Sequence, residues 1–161
     1  MEKAPLTAPV VRVIPADATH VLRQRVLRPH QRVDEMVYPG DTDRETVHFG
    51  GFAGEELVAI ASLYRAPLPP AVAEAGIGTL PHEQWQFRGM ASDESVRGRG
   101  FAAAVLDAAF VHARTQGGTL IWCNAREAAV WFYERANMRR VGGWFEIPQI
   151  GAHIVMAAPL R

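Results

Sequence analysis

The stretch SVRGRGFAAAVL, from Ser95 to Leu106, places two arginines and two glycines directly before an alanine-rich apolar run. Glycine lets successive backbone N–H groups converge without hindrance from a Cβ atom, and the start of a helix adds partial positive charge. Arg97 and Arg99 can add charge-assisted hydrogen bonds. These properties suit a pyrophosphate, and the alternative is an ordinary basic turn.

Three phosphate-binding motifs can be compared with this stretch. A Walker loop needs Gly-Lys-Ser/Thr, which the chain lacks. The dinucleotide motif G-x-G-x-x-G/A is met formally from Gly98 to Ala103, but WCN (122–124) stands where its acidic residue should be. The third motif, R/Q-x-x-G-x-G/A, is met from Arg97 to Ala102 without such a conflict.

Two strands and a helix are predicted to hold this turn in place. QWQFRGMAS (84–92) predicts a strand that leads into the turn. From Phe101 onwards the apolar residues recur at helical spacing, and Gly117-Gly118 ends the helix. TLIWCNA (119–125) follows as a buried strand, which is parallel to the first strand if the helix is a crossover.

The remaining segments predict further strands and helices around this unit. VVRVIP (10–15) predicts a strand, and HVLRQRVLRP (20–29) predicts a helix with Val21, Leu22, Val26 and Leu27 on its apolar face. TVHFGGFA and ELVAIASLYRA predict a hairpin. The predicted α/β fold with a mixed sheet is completed by three further segments. These are a proline-rich excursion (67–81), the helix REAAVWFYERANM and two strands around Pro148–Gly151.

Composition limits the class of protein. The 161 residues predict one domain, 1–161, and 17 basic residues balance 17 acidic ones, so no nucleic-acid or membrane partner is expected. The chain shows no secretory signal and no apolar run of about 18 residues. Cys123 is the single cysteine, which excludes an intrachain disulfide and fits a cytoplasmic protein. The histidines lack metal-binding spacing, so no metal is expected.

Two longer segments carry a resemblance to a known family. RGMASDESVRGRGFAAAVLDAA and LIWCNAREAAVWFYERANM resemble the acyl-CoA-binding region of the GNAT superfamily of N-acyltransferases. The resemblance is strong from Gln84 to Leu160, where the IGAH turn belongs to it, and weaker before that. It implies a GNAT-like mixed, mostly antiparallel sheet with a central parallel, splayed strand pair and helices on both faces.

The resemblance also implies a set of binding residues for acetyl-CoA, the expected cosubstrate. The strand Phe87–Ser92 should bulge away from Leu120–Asn124, so that free backbone groups pair with the pantetheine arm. The turn from Arg97 should wrap the pyrophosphate. The implied cofactor-binding residues are Met90, Ala91, Ser92, Arg97, Gly98, Arg99, Gly100, Phe101, Ala102, Asn124 and Ala129.

The implied chemistry is direct acyl transfer. A neutral amine attacks the thioester, a backbone N–H at the bulge stabilises the oxyanion, and Tyr133 protonates the departing thiolate. Packing in the core is the alternative role for Tyr133. Cys123 need not be a nucleophile. Arg88 stands where many family members have a glutamate base, so the base is unassigned.

Several alternatives stay open at this point. The base candidates are Glu83, Glu146, His153 and a chain of water molecules. Asn137-Met138 replaces the usual Gly-Phe after the last helix, although asparagine tolerates the left-handed conformation. The acceptor is expected to be a primary amine of a small molecule or peptide, selected by residues 21–46, 67–81 and the terminal turn. A non-catalytic CoA-binding domain, an NAD-binding module and a homodimer are the remaining alternatives.

Overall fold

Seven strands form one mixed sheet in the computed structural model, which describes residues 8–160. The order of the strands in the sheet is β1-β2-β3-β4-β5-β7-β6. Their bounds are β1 Val10–Ile14, β2 Val47–Ala53, β3 Glu56–Arg65, β4 Gln84–Ser92, β5 Leu120–Arg126, β6 Arg139–Ile147 and β7 Gly151–Pro159. Each strand lies where the sequence pattern predicts one.

The pairing directions confirm the predicted mixed sheet. β1 pairs antiparallel with β2, and β7 pairs antiparallel with both β5 and β6. β4 and β5, at the centre of the strand order, pair in parallel from Gln84↔Leu120 to Gln86↔Trp122. Both strands continue beyond these three register pairs, to Ser92 and Arg126.

The helices are α1 His20–Leu22, α2 Phe101–Thr115 and α3 Val130–Arg135. Short 3-10 helices occupy Ala16–Thr19, Val33–Glu35, Pro70–Gly76, Pro81–Glu83, Glu94–Val96 and Glu127–Ala129. α2 begins at the predicted residue. It ends as predicted, because the Gly118 N–H donates to the Ala113 carbonyl at 2.8 Å and Gly117 adopts a φ of +79°.

The first helical segment differs from the regular helix predicted for residues 20–29. It runs from 3-10 geometry through α1 into a π-helical turn at Arg23–Leu27. Val21, predicted on the apolar face, is 56% exposed, whereas Leu22 is buried. Neighbouring helix positions point about 100° apart, and here Val21 points away from the core that buries Leu22. The wide π turn then places Arg23 on the buried side.

Two compact units divide the chain. The first consists of the described part of Met1–Ser62 together with Gly89–Ala109. Its apolar cluster is formed by Ile14, Leu22, Ile60 and Ala91. α2 packs closely on β2 in this unit, since a Cβ atom at Gly51 would lie 3.0 Å from Val105 Cγ2. The last part of β4, from Gly89, belongs to this unit, and its Ala91 packs in the same cluster as Leu22 of α1.

The second unit consists of Leu63–Arg88 and the described part of Phe110–Arg161. Its apolar cluster is Leu68, Leu120, Trp122, Val155 and Ala157. The Gln84 side chain fixes the proline-rich excursion, because its Oε1 accepts from the Leu68 N–H at 2.7 Å and its Nε2 donates to Thr79 Oγ1 at 2.7 Å. A single domain over residues 1–161 stays a prediction.

Candidate active site

A left-handed glycine interrupts β4 in the first unit. Gly89 has a φ of +63°, which glycine adopts far more readily than other residues. A Cβ atom there would also lie 3.3 Å from Arg23 Nε and 3.4 Å from Tyr38 Cε2. Met90, which follows, is half-buried, and Ala91 is buried. The backbone irregularity thus lies where a bulge was expected in Phe87–Ser92.

A buried ion pair supports this part of β4. The Arg23 side chain is fully buried and donates to both carboxylate oxygens of Asp41, at 2.6 and 2.9 Å. It also donates to the Met36 carbonyl and to Ser62 Oγ, each at 2.8 Å. Its guanidinium lies 4.0 Å from the ring centroid of Tyr38. The loop that carries Tyr38 and Asp41 is therefore fixed beside Gly89.

This network was not identified in the sequence. His48 extends it, with Nδ1 2.6 Å from Ser62 Oγ and Nε2 2.8 Å from the Asp41 carbonyl. Arg23 lies 18 residues before Asp41 and 39 before Ser62, so no local spacing relates them. The one signal was an arginine directly after Leu22 in an apolar helical segment.

Asp93 organises the turn that follows β4. Its Oδ1 accepts from the Ser95 N–H at 3.0 Å and from the Ser95 hydroxyl at 2.7 Å. Its Oδ2 pairs with Arg25. The Ser95 hydroxyl, then the Ser95 N–H and the Arg25 guanidinium, hold the pKa of Asp93 below its ordinary value. The carboxylate is therefore ionised at neutral pH and caps the turn.

The two glycines of the predicted pyrophosphate turn have the same unusual conformation. Gly98 has a φ of +78° and Gly100 a φ of +85°, and a Cβ atom at either would meet nothing within 4 Å. Arg97 and Arg99 are exposed. The backbone thus turns twice through left-handed geometry beside open space and leads into the 15-residue helix α2. This arrangement can present N–H groups and positive charge to an anion.

Phe101 and Ala102 begin α2 with different exposure. The Phe101 side chain is 1% exposed and belongs to the core, so only its backbone could reach a ligand. Ala102 is half-buried. A small side chain at the start of a helix allows close approach of a bound group.

The second unit holds the other predicted residues. Asn124 is exposed on β5 between buried Cys123 and Ala125. Ala129 is half-buried and precedes α3. Burial raises the pKa of the Cys123 thiol well above its ordinary value, so it is protonated at neutral pH and poorly suited to nucleophilic attack.

Tyr133 is buried in α3, with its ring 5.4 Å from that of Phe87 and 5.2 Å from that of Phe132. Burial, and then the nearby Cys123, raise the pKa of the phenol well above its ordinary value, while Arg126 opposes the shift. The phenol is therefore neutral over the physiological range and can donate a proton.

Asn137 follows α3 at the position where the family usually has glycine. This residue has a φ of +65°, and its N–H donates to the Glu134 carbonyl at 3.0 Å. The Met138 N–H donates to the Tyr133 carbonyl at 3.1 Å. These two bonds form a Schellman motif, in which asparagine takes the place that glycine usually holds.

The base candidates differ in their surroundings. The Glu83 carboxylate accepts from the Leu80 N–H at 3.0 Å and so caps a 3-10 turn. Glu146 is exposed on β6. His153 is buried, and its Nδ1 lies 2.8 Å from the Gly151 carbonyl. Arg88, which occupies the expected position of a glutamate, lies with its guanidinium 5.4 Å from the ring centroid of Tyr64.

Two features of the described residues bear on other classes of protein. Within residues 8–160, no group of three or more histidine, cysteine, aspartate or glutamate side chains is arranged to hold a metal ion. In the same part of the chain, no helix has the length and apolar character needed to cross a membrane.

Comparison with known proteins identifies the class. Residues 17–138 match the model of the acetyltransferase (GNAT) family. The chain therefore belongs to the GNAT family and is an acyltransferase. A curated relative, the uncharacterised N-acetyltransferase YitI of Bacillus subtilis (strain 168), is 32% identical over 151 residues, 94% of this chain and 96% of that protein.

Solved structures share the fold at low sequence identity. FeeM, an N-acyl amino acid synthase from uncultured soil microbes, has a TM-score of 0.75 at 16% identity and covers 94% of this chain and 91% of its own. An aminoglycoside 6′-N-acetyltransferase in complex with coenzyme A has a TM-score of 0.68 at 13% identity, with 94% and 97% covered. These likenesses concern the fold.

Proposed function

We propose that this protein transfers an acetyl group from acetyl-CoA directly to a primary amine of a small molecule or peptide. The assignment of a CoA thioester as donor rests on one observation. Gly98 and Gly100 adopt left-handed conformations beside open space, next to exposed arginines and just before a long helix. Family membership supports a CoA thioester as the donor. So does the relative of the same fold that was solved with coenzyme A.

The proposed roles follow from each residue's surroundings. The backbone around Met90 pairs with the pantetheine arm and donates an N–H to the oxyanion, since Gly89 turns β4 out of regular strand geometry there. Asn124 is exposed on β5 and contacts the pantetheine. Ala91, Ser92 and Ala129 line the proposed path of the cofactor through their backbone.

The transfer itself forms one bond and breaks one. The amine nitrogen attacks the thioester carbon, the C–N bond forms, and the C–S bond breaks. Tyr133 gives its proton to the departing thiolate, because its raised pKa keeps the phenol protonated. The proton lost by the amine passes to a base, for which Glu83, Glu146, His153 and a water chain to solvent are the candidates. A proton from solvent then restores the Tyr133 phenol.

The proposal includes a cytoplasmic location. Cys123 is a free, buried thiol, which fits a reducing compartment. A homodimer stays an alternative to a monomer, and light scattering of the purified protein distinguishes them.

Charge reversal tests the donor assignment. Arg97→Glu and Arg99→Glu should each raise the Kd for CoA in calorimetry by tenfold or more, because a repulsive carboxylate replaces a phosphate partner. The melting temperature should change little, since both side chains are exposed. Arg139→Glu, at an exposed position on β6, is the matched control. An unchanged Kd for CoA in both variants would contradict the assignment of this turn as the pyrophosphate site.

Thiol release over a panel of amines, amino acids and peptides tests the transfer. Release of free CoA with at least one amine is the expected result. CoA binding without release for any acceptor would favour the alternative of a non-catalytic CoA-binding domain, and NAD binding in place of CoA would favour an oxidoreductase module.

A further inference from the structure

Arg28, directly after the π-helical turn, differs from the ion-paired arginines around it. Arg23 pairs with Asp41, Arg25 with Asp93 and Arg32 with Asp34. The guanidinium of Arg28 makes no hydrogen bond or ion pair with any residue in the described part of the chain. Its Nε is fully buried, and the residue as a whole is half-buried.

The Arg28 guanidinium is held over an aromatic ring beside β4. Its Cζ lies 5.7 Å from the ring centroid of Tyr38, and the ring edge of Tyr38 lies 3.4 Å from the Cβ position of Gly89. Gly89 directly precedes Met90, the proposed site of oxyanion stabilisation. The Tyr38 ring thus lies near both the Arg28 guanidinium and the β4 backbone at which the thioester is proposed to bind.

The two arginines beside Tyr38 differ in their pairing with carboxylates. Two guanidinium groups lie over this ring, those of Arg23 and Arg28. Asp41 neutralises Arg23 through two hydrogen bonds. A partly buried guanidinium that has no counter-ion in the protein is stabilised when a ligand supplies a negative charge.

The chemistry of the group defines the ligand. A guanidinium has planar, forked donors that match the two oxygens of a carboxylate. The Arg28 guanidinium carbon lies over the Tyr38 ring, 5.7 Å from its centroid. The backbone that carries this ring is held in place, because the Tyr38 N–H donates to the Asp41 carboxylate at 2.9 Å. The Arg28 guanidinium therefore lies beside a loop whose backbone is tied to the buried ion pair.

We propose that Arg28 binds the carboxylate of the acceptor, which makes amino acids the substrate class of this acetyltransferase. This inference rests on the proposed function and deepens it. The amine of such an acceptor extends along Tyr38 towards Met90, while its carboxylate stays on Arg28. Amines that lack an acidic group leave the charge of the Arg28 guanidinium unpaired and bind weakly.

Matched acceptor pairs test this assignment. Thiol release is measured at saturating acetyl-CoA for α-, β- and γ-amino acids and for the corresponding amides, with wild type, Arg28→Gln, Arg28→Lys and Arg32→Gln. Arg32 is exposed and pairs with Asp34 on the surface, so it controls for loss of a nearby arginine. Thermal melting checks that each variant is folded, and the lysine variant retains the charge.

The expected result is a difference between acids and amides that depends on Arg28. For wild type, kcat/KM of the best amino acid should exceed that of its amide by tenfold or more. Arg28→Gln should raise KM for the acid by at least tenfold, with kcat and the amide values nearly unchanged. Arg28→Lys should lie between, and Arg32→Gln should match wild type.

Other outcomes overturn the inference. These are equal use of acid and amide by wild type, an equal effect of Arg28→Gln on both, or a preference for a phosphate-bearing amine. Calorimetry of amino acids binding to the CoA-bound protein measures carboxylate binding without turnover. It therefore tests the role of Arg28 separately from the proposed acetyl transfer. If no amine is acetylated, the proposed function fails, and the same comparison of wild type with Arg28→Gln still decides whether Arg28 binds a carboxylate.

Discussion

The ring of Tyr133 packs against the ring of Phe87, with centroids 5.4 Å apart and planes inclined by 50°. α3 supplies the first residue and β4 the second. The contact is made by carbon atoms, so it does not require the phenolic hydroxyl. A phenylalanine at position 133 should keep the packing and remove only the proton donor.

Tyr133→Phe should therefore separate chemistry from folding. We expect kcat for thiol release to fall by about 10²-fold or more, because a positioned general acid contributes on this scale. The free energy of unfolding should stay within about 1 kcal/mol of wild type, since the ring remains. Tyr64→Phe removes a hydroxyl from another buried tyrosine of the same unit and serves as the control. Unchanged turnover of Tyr133→Phe at every pH would refute the acid role.

The raised pKa of Tyr133 predicts the sign of a pH effect. A buried neutral phenol binds its proton more tightly in the folded state than in the unfolded state. Its contribution to stability is fully present below the unfolded pKa of about 10 and is lost as pH rises above that value. Denaturant unfolding between pH 8 and pH 11 should show a smaller loss of stability for Tyr133→Phe than for wild type. Parallel curves would contradict the prediction.

Gly100 allows backbone strain to be separated from ligand exclusion. Gly100→Ala should cost about 1–2 kcal/mol of stability, because alanine is strained at a φ of +85°. Gly100→Asn should cost less, since asparagine tolerates this conformation. Both should weaken CoA binding by tenfold or more, because the side chain enters space proposed for the pyrophosphate.

Gly117 provides the matched control for this pair. It has a φ of +79° and equally open surroundings, at the other end of α2. Gly117→Asn should leave the Kd for CoA unchanged. The interpretation of the turn is wrong if Gly100→Asn binds CoA as tightly as Gly117→Asn does.

The buried ion pair predicts an asymmetric response to loss of a carboxylate. Asp41→Asn should destabilise the protein by about 3–5 kcal/mol, because the charge of Arg23 stays buried without its partner. Asp34→Asn breaks an exposed pair and should have little effect. Urea unfolding of both variants measures the difference. Similar midpoints for the two would show that the buried pair is not stabilising.

The sequence predicted strands and helices well where apolar residues recur at regular spacing along the whole element. β4 has its predicted bounds, Gln84–Ser92, and α2 begins at the predicted Phe101. Both predictions depend on the spacing of apolar residues and on glycines that lie within a few residues of the element. The left-handed Gly98 and Gly100 follow from the same local chemistry, which is why the turn could be recognised from the sequence.

The support of the candidate site could not be predicted in this way. Asp41 and Ser62 meet Arg23 only after the chain has folded, and the π-helical turn that buries Arg23 has no periodic signature. For the acceptor, the sequence predicted only the segments expected to select it, residues 21–46 among them. The structure shows which charges of that segment are paired, and the pairing leaves Arg28 over Tyr38.

Gly89 limits how this domain can diversify. Its backbone conformation disfavours other residues, and Arg23 and Tyr38 crowd the position of a side chain. A substitution at this position of β4 is therefore a poor route to a change of acceptor. Changes of preference among descendants of this protein should instead accumulate in the loop that carries Arg28 and Tyr38, where a substitution can alter recognition and leave the strand intact.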